Sequence, residues 1–86
     1  MALYEIRWKS SAYQDLRRLD PSQVPRIVRS IESLQENPFP RGSRKLLGTE
    51  DHRRLRVGDL RVIYKVEQEP GAVVVIHVRH RREAYR

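Results

Sequence analysis

The sequence predicts an α+β fold: an N-terminal strand, a helical hairpin, and then a twisted, mainly antiparallel sheet with both helices on one face. Apolar residues recur at helical spacing between residues 10 and 36, and they alternate with polar ones on both sides of Gly58-Asp59. Turn residues at 58–59 and 69–71 divide the second half into strands. Because 86 residues are too few for two cores, we predict a single domain over residues 1–86.

The first strand and first helix are predicted from residues 4–20. Tyr4, Ile6 and Trp8 alternate with charged residues, which is the period of a strand. Ser11 and Gln14 then fit a capping box, which predicts a helix N-terminus. The helix should end before Pro21, because the residue preceding a proline is disfavoured in the helical region.

The second helix should begin near residues 22–24 and end at Asn37-Pro38. Pro25 then falls in its first turn, where a missing N–H costs little. One apolar stripe along this helix predicts the surface that packs on the sheet. The stripe comprises Val24, Ile27, Val28, Ile31 and Leu34.

Four further strands are predicted at residues 45–47, 54–57, 60–67 and 72–79. A two-residue loop at 58–59 pairs Val57 with Leu60 and Arg56 with Arg61. Apolar side chains then share the core face of this hairpin, and Arg54, Arg56 and Arg61 share the opposite, open face. The same alternation predicts that Ala72, Val74, Ile76 and Val78 share one side of the last strand, with Val73, Val75, His77 and Arg79 on the other.

Positive charge is concentrated in the second half of the chain. Of 18 basic and 11 acidic residues, residues 1–40 hold 6 and 5, and residues 41–86 hold 12 and 6. Fifteen of the basic residues are arginine, whose planar guanidinium makes bidentate contacts with phosphate. Two arginines directly opposite each other on paired strands repel, and a phosphate between them would convert repulsion into attraction. The charge distribution therefore indicates binding to RNA or DNA.

Composition argues against several other classes of protein. The chain has no cysteine, so disulfides and thiolate chemistry are excluded, and its three histidines lack acidic neighbours at metal-ligand spacing. No apolar run approaches the roughly 20 residues that span a bilayer, and no signal-peptide core is present at the amino end. We therefore expect a cytoplasmic protein with no metal, no cofactor and no membrane partner.

Three stretches carry a family resemblance: Lys45-Leu46 followed by Gly48, residues 54–64 with the sequence RLRVGDLRVIY, and residues 80–86 with the sequence HRREAYR. Together with the order of strands and helices, they resemble the RelE branch of the RelE/ParE toxin superfamily over almost the whole chain. The resemblance implies the toxin of a type II toxin–antitoxin system, which enters the ribosomal A site and cuts messenger RNA. Its implied partners are the ribosome, messenger RNA and a cognate antitoxin.

The implied reaction uses no metal. The ribose 2′-hydroxyl attacks the adjacent phosphate and leaves a 2′,3′-cyclic phosphate and a free 5′-hydroxyl. Such chemistry needs a proton acceptor, positive charge on the phosphorane and a proton donor for the leaving oxygen. By the resemblance, the catalytic residues are Arg54, Arg61, Arg81 and Tyr85. To these we add His80 as the provisional acid or base. RNA-binding is expected from Lys45, Arg53, Arg56, Arg79 and Arg82.

Two departures from the family concern the proton acceptor. Arg54 stands where the family has a lysine, and arginine cannot be deprotonated, so Arg54 can clamp phosphate but cannot act as a base. His52 occupies the place of another basic family residue, and Arg53 replaces an aromatic one. His80 is the candidate acceptor because imidazole ordinarily titrates near neutral pH.

Two other functions fit the same sequence. A ParE-like inhibitor of DNA gyrase would share the fold and act by binding a protein, without catalysis. A non-catalytic RNA- or DNA-binding module would use the basic face alone. Messenger RNA cleavage on ribosomes separates the first function from both alternatives, and inhibition of supercoiling separates the alternatives from each other.

Overall fold

The computed structural model describes residues 3–46 and 52–80, and it has the predicted α+β architecture. The elements in chain order are β1 (Glu5–Trp8), α1 (Ser10–Arg18), α2 (Val24–Glu32), β2 (Ser43–Lys45), β3 (His52–Val57), β4 (Leu60–Glu67) and β5 (Ala72–His80). Short 3₁₀ turns at Pro21–Gln23 and Ser33–Gln35 flank α2. Neither helix in the described ranges is long and apolar enough to cross a bilayer.

The five strands form one mixed sheet in the order β1-β5-β4-β3-β2. Strand β1 pairs with β5 in parallel, and every other neighbouring pair is antiparallel. The last strand is therefore inserted between the first strand and the hairpin. The mainly antiparallel sheet that the sequence predicted is confirmed.

Both helices pack on one face of this sheet and bury the main core. Ile27 and Ile31 of α2, with Leu34 just after it, are fully buried, as the predicted apolar stripe requires. They pack with Ala12 of α1 and with the side chains that β3, β4 and β5 direct to the same side. Fully burying a side chain of this size contributes roughly 1.5–3 kcal/mol, so this cluster is the main source of stability.

The β3–β4 hairpin has the predicted register. Val57 pairs with Leu60, Arg56 with Arg61, and Leu55 with Val62. Gly58 has φ +59°, a left-handed conformation that glycine adopts without the penalty a β-carbon would bring. The edge strand β2 lies at 43–45, two residues before the predicted 45–47.

The predicted capping box at the start of α1 is wrong. Lys9 occupies the N-cap, and it makes no side-chain capping bond. The Ser11 hydroxyl instead donates a hydrogen bond to the Ile76 carbonyl at 2.6 Å. This carbonyl lies on the outer edge of β5, beyond the point where β1 ends. Ser11 therefore supplies the hydrogen bond that β1 does not provide there.

The predicted alternation of β5 is wrong in its first half because the strand contains a β-bulge. Ile63 pairs with His77 but the next residue, Tyr64, pairs with Val75, so Ile76 is an extra residue. Val73, Val75 and Val78 consequently belong to the core cluster. Ala72 and Val74 lie on the open face with His77 and Arg79, as their pairing partners require.

Candidate nucleic-acid interface

The open face of the sheet, opposite the helices, carries five arginines at neighbouring positions. One cross-strand row is Arg56–Arg61–Arg79, on β3, β4 and β5. The next row is Arg44–Arg54–Ile63–His77, on β2 to β5. Neighbouring strands lie about 4.8 Å apart and alternate residues about 6.7 Å apart along a strand, so the five guanidinium groups occupy one compact patch. We call Arg44, Arg54, Arg56, Arg61 and Arg79 the arginine face.

The members of the arginine face differ in exposure. Arg61, at the centre of its row, is only 6% exposed, whereas Arg44 and Arg56 are exposed. Arg54 and Arg79 are half-buried. Arginine is seldom buried in proteins unless it is held by partners, so the position of Arg61 is fixed by its surroundings. A phosphate bound here would meet one buried guanidinium flanked by more exposed ones.

Acidic side chains on the open face lie at its far end. Glu5 pairs with Arg7 at 3.2 Å, and Glu67 lies 3.9 Å from Lys65. Both acids are in a row two strand positions beyond Arg7 and Lys65, away from the arginine face. The open face therefore carries ion pairs at one end of the strands and a strong positive charge at the other end.

One acid from the helical layer does reach the arginine face. Asp15 of α1 is 6% exposed, and its Oδ2 accepts a hydrogen bond from the Val78 backbone N–H at 3.0 Å. The same oxygen lies 2.9 Å from Nδ1 of His77 and 3.7 Å from Nε of Arg79. Asp15 thus joins α1 to β5 and holds two side chains of the open face.

Three predicted site residues have side chains on the helical side of the sheet, not on the open face. Arg53 pairs with Tyr64 and Lys45 pairs with Arg53, in a row of the core face. Arg53 donates a hydrogen bond to Ser43 Oγ at 2.9 Å, and its guanidinium lies 5.0 Å from the Phe39 ring centroid. His80 pairs with buried Leu60 and is exposed at the end of β5, so its side chain also leaves on that side. None of the three lies on the arginine face.

The remaining predicted residues divide between the arginine face and the undescribed part of the chain. Arg54, Arg56, Arg61 and Arg79 lie together on the open face, as their register requires. Arg81, Arg82 and Tyr85 lie outside the described residues, as does Gly48 of the family motif.

Comparison with known proteins identifies the family. The family model described as the ParE toxin of the type II toxin–antitoxin system parDE matches residues 6–85. Toxin RelG of Mycobacterium tuberculosis is 32% identical over 87 residues, which cover 96% of this chain and 97% of RelG. Putative toxin RelE1 of Methanocaldococcus jannaschii is 30% identical over 86 residues, 96% of each chain. The chain belongs to the RelE/ParE toxin superfamily, in its RelE-like branch.

Solved structures agree with this assignment. The toxin–antitoxin complex RelBE2 of Mycobacterium tuberculosis contains a chain that matches this toxin with a TM-score of 0.84 and 27% identity, over 93% of both chains. The archaeal RelE–RelB complex of Pyrococcus horikoshii matches with a TM-score of 0.79 and 27% identity, over 92% of this chain and 96% of the other. The strand order and helical hairpin described above are therefore those of a RelE-like toxin.

Sequence reasoning assigned no role to three residues at this site of the toxin: Arg44 and His77 on the open face, and Asp15 of α1, which reaches that face. Arg44 was hidden because a three-residue edge strand gives no readable period. His77 was placed on the correct side but given no role. Asp15 was given no role; its i, i+4 spacing from Ser11 was the available signal, since both side chains bond to the same strand edge.

Proposed function

We propose that this toxin is an endoribonuclease that cuts messenger RNA in the ribosomal A site and so inhibits translation. The observation that carries the proposal is the arginine face: a row of three arginines, with a second row beside it, on the sheet face opposite the helices. Developing negative charge on a pentacoordinate phosphate is stabilised by positioned cations, and a buried central arginine loses little freedom when it binds.

The proposed division of roles follows the resemblance and the geometry together. Arg61 stabilises the phosphorane from the centre of the face, and Arg54 clamps the phosphate from the adjoining row. Arg81 adds positive charge, and Tyr85 orients the reacting ribose or exchanges a proton with it. Lys45, Arg53, Arg56, Arg79 and Arg82 contribute affinity for RNA or the ribosome, with Lys45 and Arg53 acting from the other side of the sheet.

The proposed partner in the resting cell is a cognate antitoxin of the RelB kind. Two structural neighbours were solved as toxin–antitoxin complexes, and both match this chain over more than nine-tenths of its length. A chain with net charge +7 associates fast with an acidic or amphipathic segment. We propose that such a segment covers the arginine face or displaces the C-terminal residues. High yields of active, uncomplexed protein from healthy cells would contradict this.

The decisive experiment is single-turnover cleavage on ribosomes programmed with a defined messenger RNA. We expect new 5′ ends at the A-site codon, bearing a 5′-hydroxyl that polynucleotide kinase can label directly. Arg81→Ala and Tyr85→Phe should bind ribosomes nearly normally and cut roughly 10²-fold more slowly, the scale of a lost proton transfer or charge contact. Wild-type cleavage rates in both variants would remove the C-terminal residues from the mechanism.

Gyrase inhibition is the second candidate, because the matching family model bears the ParE name. Inhibition of DNA supercoiling by the purified toxin, together with intact messenger RNA on ribosomes, would establish it. Binding to ribosomes or nucleic acid without either effect would instead identify a non-catalytic binding module.

A further inference from the structure

The proposed reaction needs a group that accepts the 2′-hydroxyl proton, and the arginines of the open face cannot supply it. His80, the candidate from sequence, leaves β5 on the helical side because it pairs with Leu60 of the core. His77 lies on the open face, because it pairs with Ile63, which in turn pairs with Arg54. His77 is therefore the histidine that β5 presents beside the arginines.

The Asp15–His77 contact sets the chemistry of the imidazole. A carboxylate oxygen is an acceptor, so the 2.9 Å contact requires that Nδ1 of His77 carry its hydrogen. In the neutral ring Nε2 then carries the lone pair. Asp15 is itself held by the Val78 backbone N–H and by its burial, so the ring is fixed by a group that cannot move freely. This arrangement of carboxylate, imidazole and free Nε2 is the one by which proteins orient a histidine base.

A structural role for Asp15 alone leaves the histidine unexplained. Strand β1 ends at Trp8, opposite Val75, so beyond that point no strand within residues 3–46 and 52–80 pairs with the outer edge of β5. Ser11 bonds the Ile76 carbonyl and Asp15 bonds the Val78 N–H, which together satisfy this edge. Neither of these two hydrogen bonds between α1 and β5 uses the side chain of residue 77. The histidine adds a titratable ring, 31% exposed, on the basic side of the sheet.

The distances suit a shared phosphodiester. Arg61 is the diagonal neighbour of His77 across β4–β5, and such neighbours lie about 7–8 Å apart. Arg79 lies two positions further along β5, about 6.7 Å away. The guanidinium groups can therefore hold the phosphate, while the imidazole reaches the 2′-hydroxyl of the ribose whose 3′-oxygen is bonded to that phosphate. In the ring's own cross-strand row and the two rows beside it, the charged or titratable side chains of the open face are Arg7 on β1, Arg44 on β2, His52, Arg54 and Arg56 on β3, Arg61 and Lys65 on β4, and Arg79 on β5; Asp15 reaches the ring from α1.

We propose that His77 is the proton acceptor of the reaction and that Asp15 is its positioning residue; this inference rests on the proposed ribonuclease function. Nε2 of His77 takes the 2′-hydroxyl proton as the 2′-oxygen bonds to phosphorus. The bond from phosphorus to the 5′-oxygen breaks, and that oxygen takes a proton from solvent. His77 afterwards returns its proton to solvent, so the toxin is unchanged after each cut.

The test compares pH–rate profiles for single-turnover cleavage on programmed ribosomes. For wild type we expect the rate to rise with pH within about pH 5–8, the range in which histidines ordinarily titrate. His77→Gln should bind ribosomes as wild type does, cut roughly 10²–10⁴-fold more slowly, and lose that rise. Asp15→Asn should also slow cleavage, because its amide oxygen can keep both hydrogen bonds of Oδ2 but lacks the negative charge that stabilises the protonated imidazole.

Ser11→Ala is the matched control, since it removes a hydrogen bond from the same seam between α1 and β5 without touching His77. We expect it to keep the wild-type rate and profile. An equal loss of rate in Ser11→Ala and Asp15→Asn would show that cleavage depends only on the packing of α1 against β5. It would overturn the positioning role of Asp15. Thermal melts of each variant identify any that fail to fold.

A second measurement does not depend on cleavage. Long-range ¹⁵N–¹H NMR spectra of the wild-type toxin report which ring nitrogen of neutral His77 is protonated, and we expect Nδ1. An Nε2-protonated ring would overturn the proposal, and this spectrum decides the matter if His77→Gln does not fold. Wild-type rates and profile in a folded His77→Gln would overturn the inference and leave the ribonuclease proposal standing. No cleavage by wild type would overturn both.

Discussion

Replacing Arg56 with glutamine should stabilise the fold while weakening its affinity for RNA. Arg56 is exposed on β3 and stands directly opposite Arg61 of β4. In the absence of a phosphate, two guanidinium groups about 6 Å apart in a water-like dielectric repel by about 0.7 kcal/mol. Glutamine keeps most of the aliphatic stem and removes the charge, so the repulsion is relieved with little change in packing.

The expected gain can be measured by thermal unfolding at low ionic strength. For a domain of this size, 0.7 kcal/mol corresponds to an increase in Tm of about 3–6 °C. The gain should shrink as salt is added, because the Debye length falls from about 10 Å at 0.1 M to about 3 Å at 1 M. Binding to single-stranded RNA should change in the opposite sense, with the slope of log K against log salt reduced by about 0.7 for one lost phosphate contact.

Arg29→Gln is the matched control, since Arg29 is equally exposed but lies in the last turn of α2, on the other side of the sheet. A cation there interacts favourably with the helix dipole, so its loss should cost about 0.3–1 kcal/mol and leave the salt slope unchanged. A lower Tm for Arg56→Gln, or equal slope changes in the two variants, would refute the assignment of Arg56 to a binding surface.

Three further predictions concern stability. Asp15→Ala leaves the Val78 N–H without its acceptor and should lower the free energy of unfolding by about 1–3 kcal/mol in urea titrations; a change below about 0.5 kcal/mol would contradict this. Gly58→Ala places a β-carbon at φ +59° and should cost about 1–2 kcal/mol, measured by thermal melting, with an unchanged Tm as the contrary result. Hydrogen bonds from the Ser22 backbone and hydroxyl lower the pKa of Asp20 below its ordinary 3.8, so the stability that Asp20 adds over Asp20→Ala should be present above that pH and disappear as pH falls through the lower folded pKa. A difference between these two proteins that stays constant with pH would contradict it.

The fold was largely predictable because most elements carry their own signals. Strand β4 has the predicted ends, and α2 begins at the predicted place with Pro25 in its first turn. The bulge at Ile76 was not predictable, because residues 72–76 are all apolar and an unbroken apolar run shows no period. Short-range rules also assigned Ser11 to a helix cap, since its true acceptor lies 65 residues away.

The candidate site was predictable where it depends on one hairpin. A two-residue turn fixes the register of β3 against β4, which placed Arg54, Arg56 and Arg61 on one face. Contacts between distant segments could not be predicted in this way. The Asp15–His77 contact joins residues 62 positions apart, and it depends on where β1 ends, which no local pattern specifies.

The position of β5 in the sheet has a consequence for when the toxin becomes active during its own synthesis. Strand β5 is the last of the described strands to be made, yet it lies between β1 and β4 and supplies His77 and Arg79. Residues 5–8 cannot pair until residues 72–75 have been made. Pairing between segments so far apart in the sequence forms late in folding. A chain cut short before Ala72 lacks the strand that joins the two parts of the sheet, so we expect incomplete copies to be inactive.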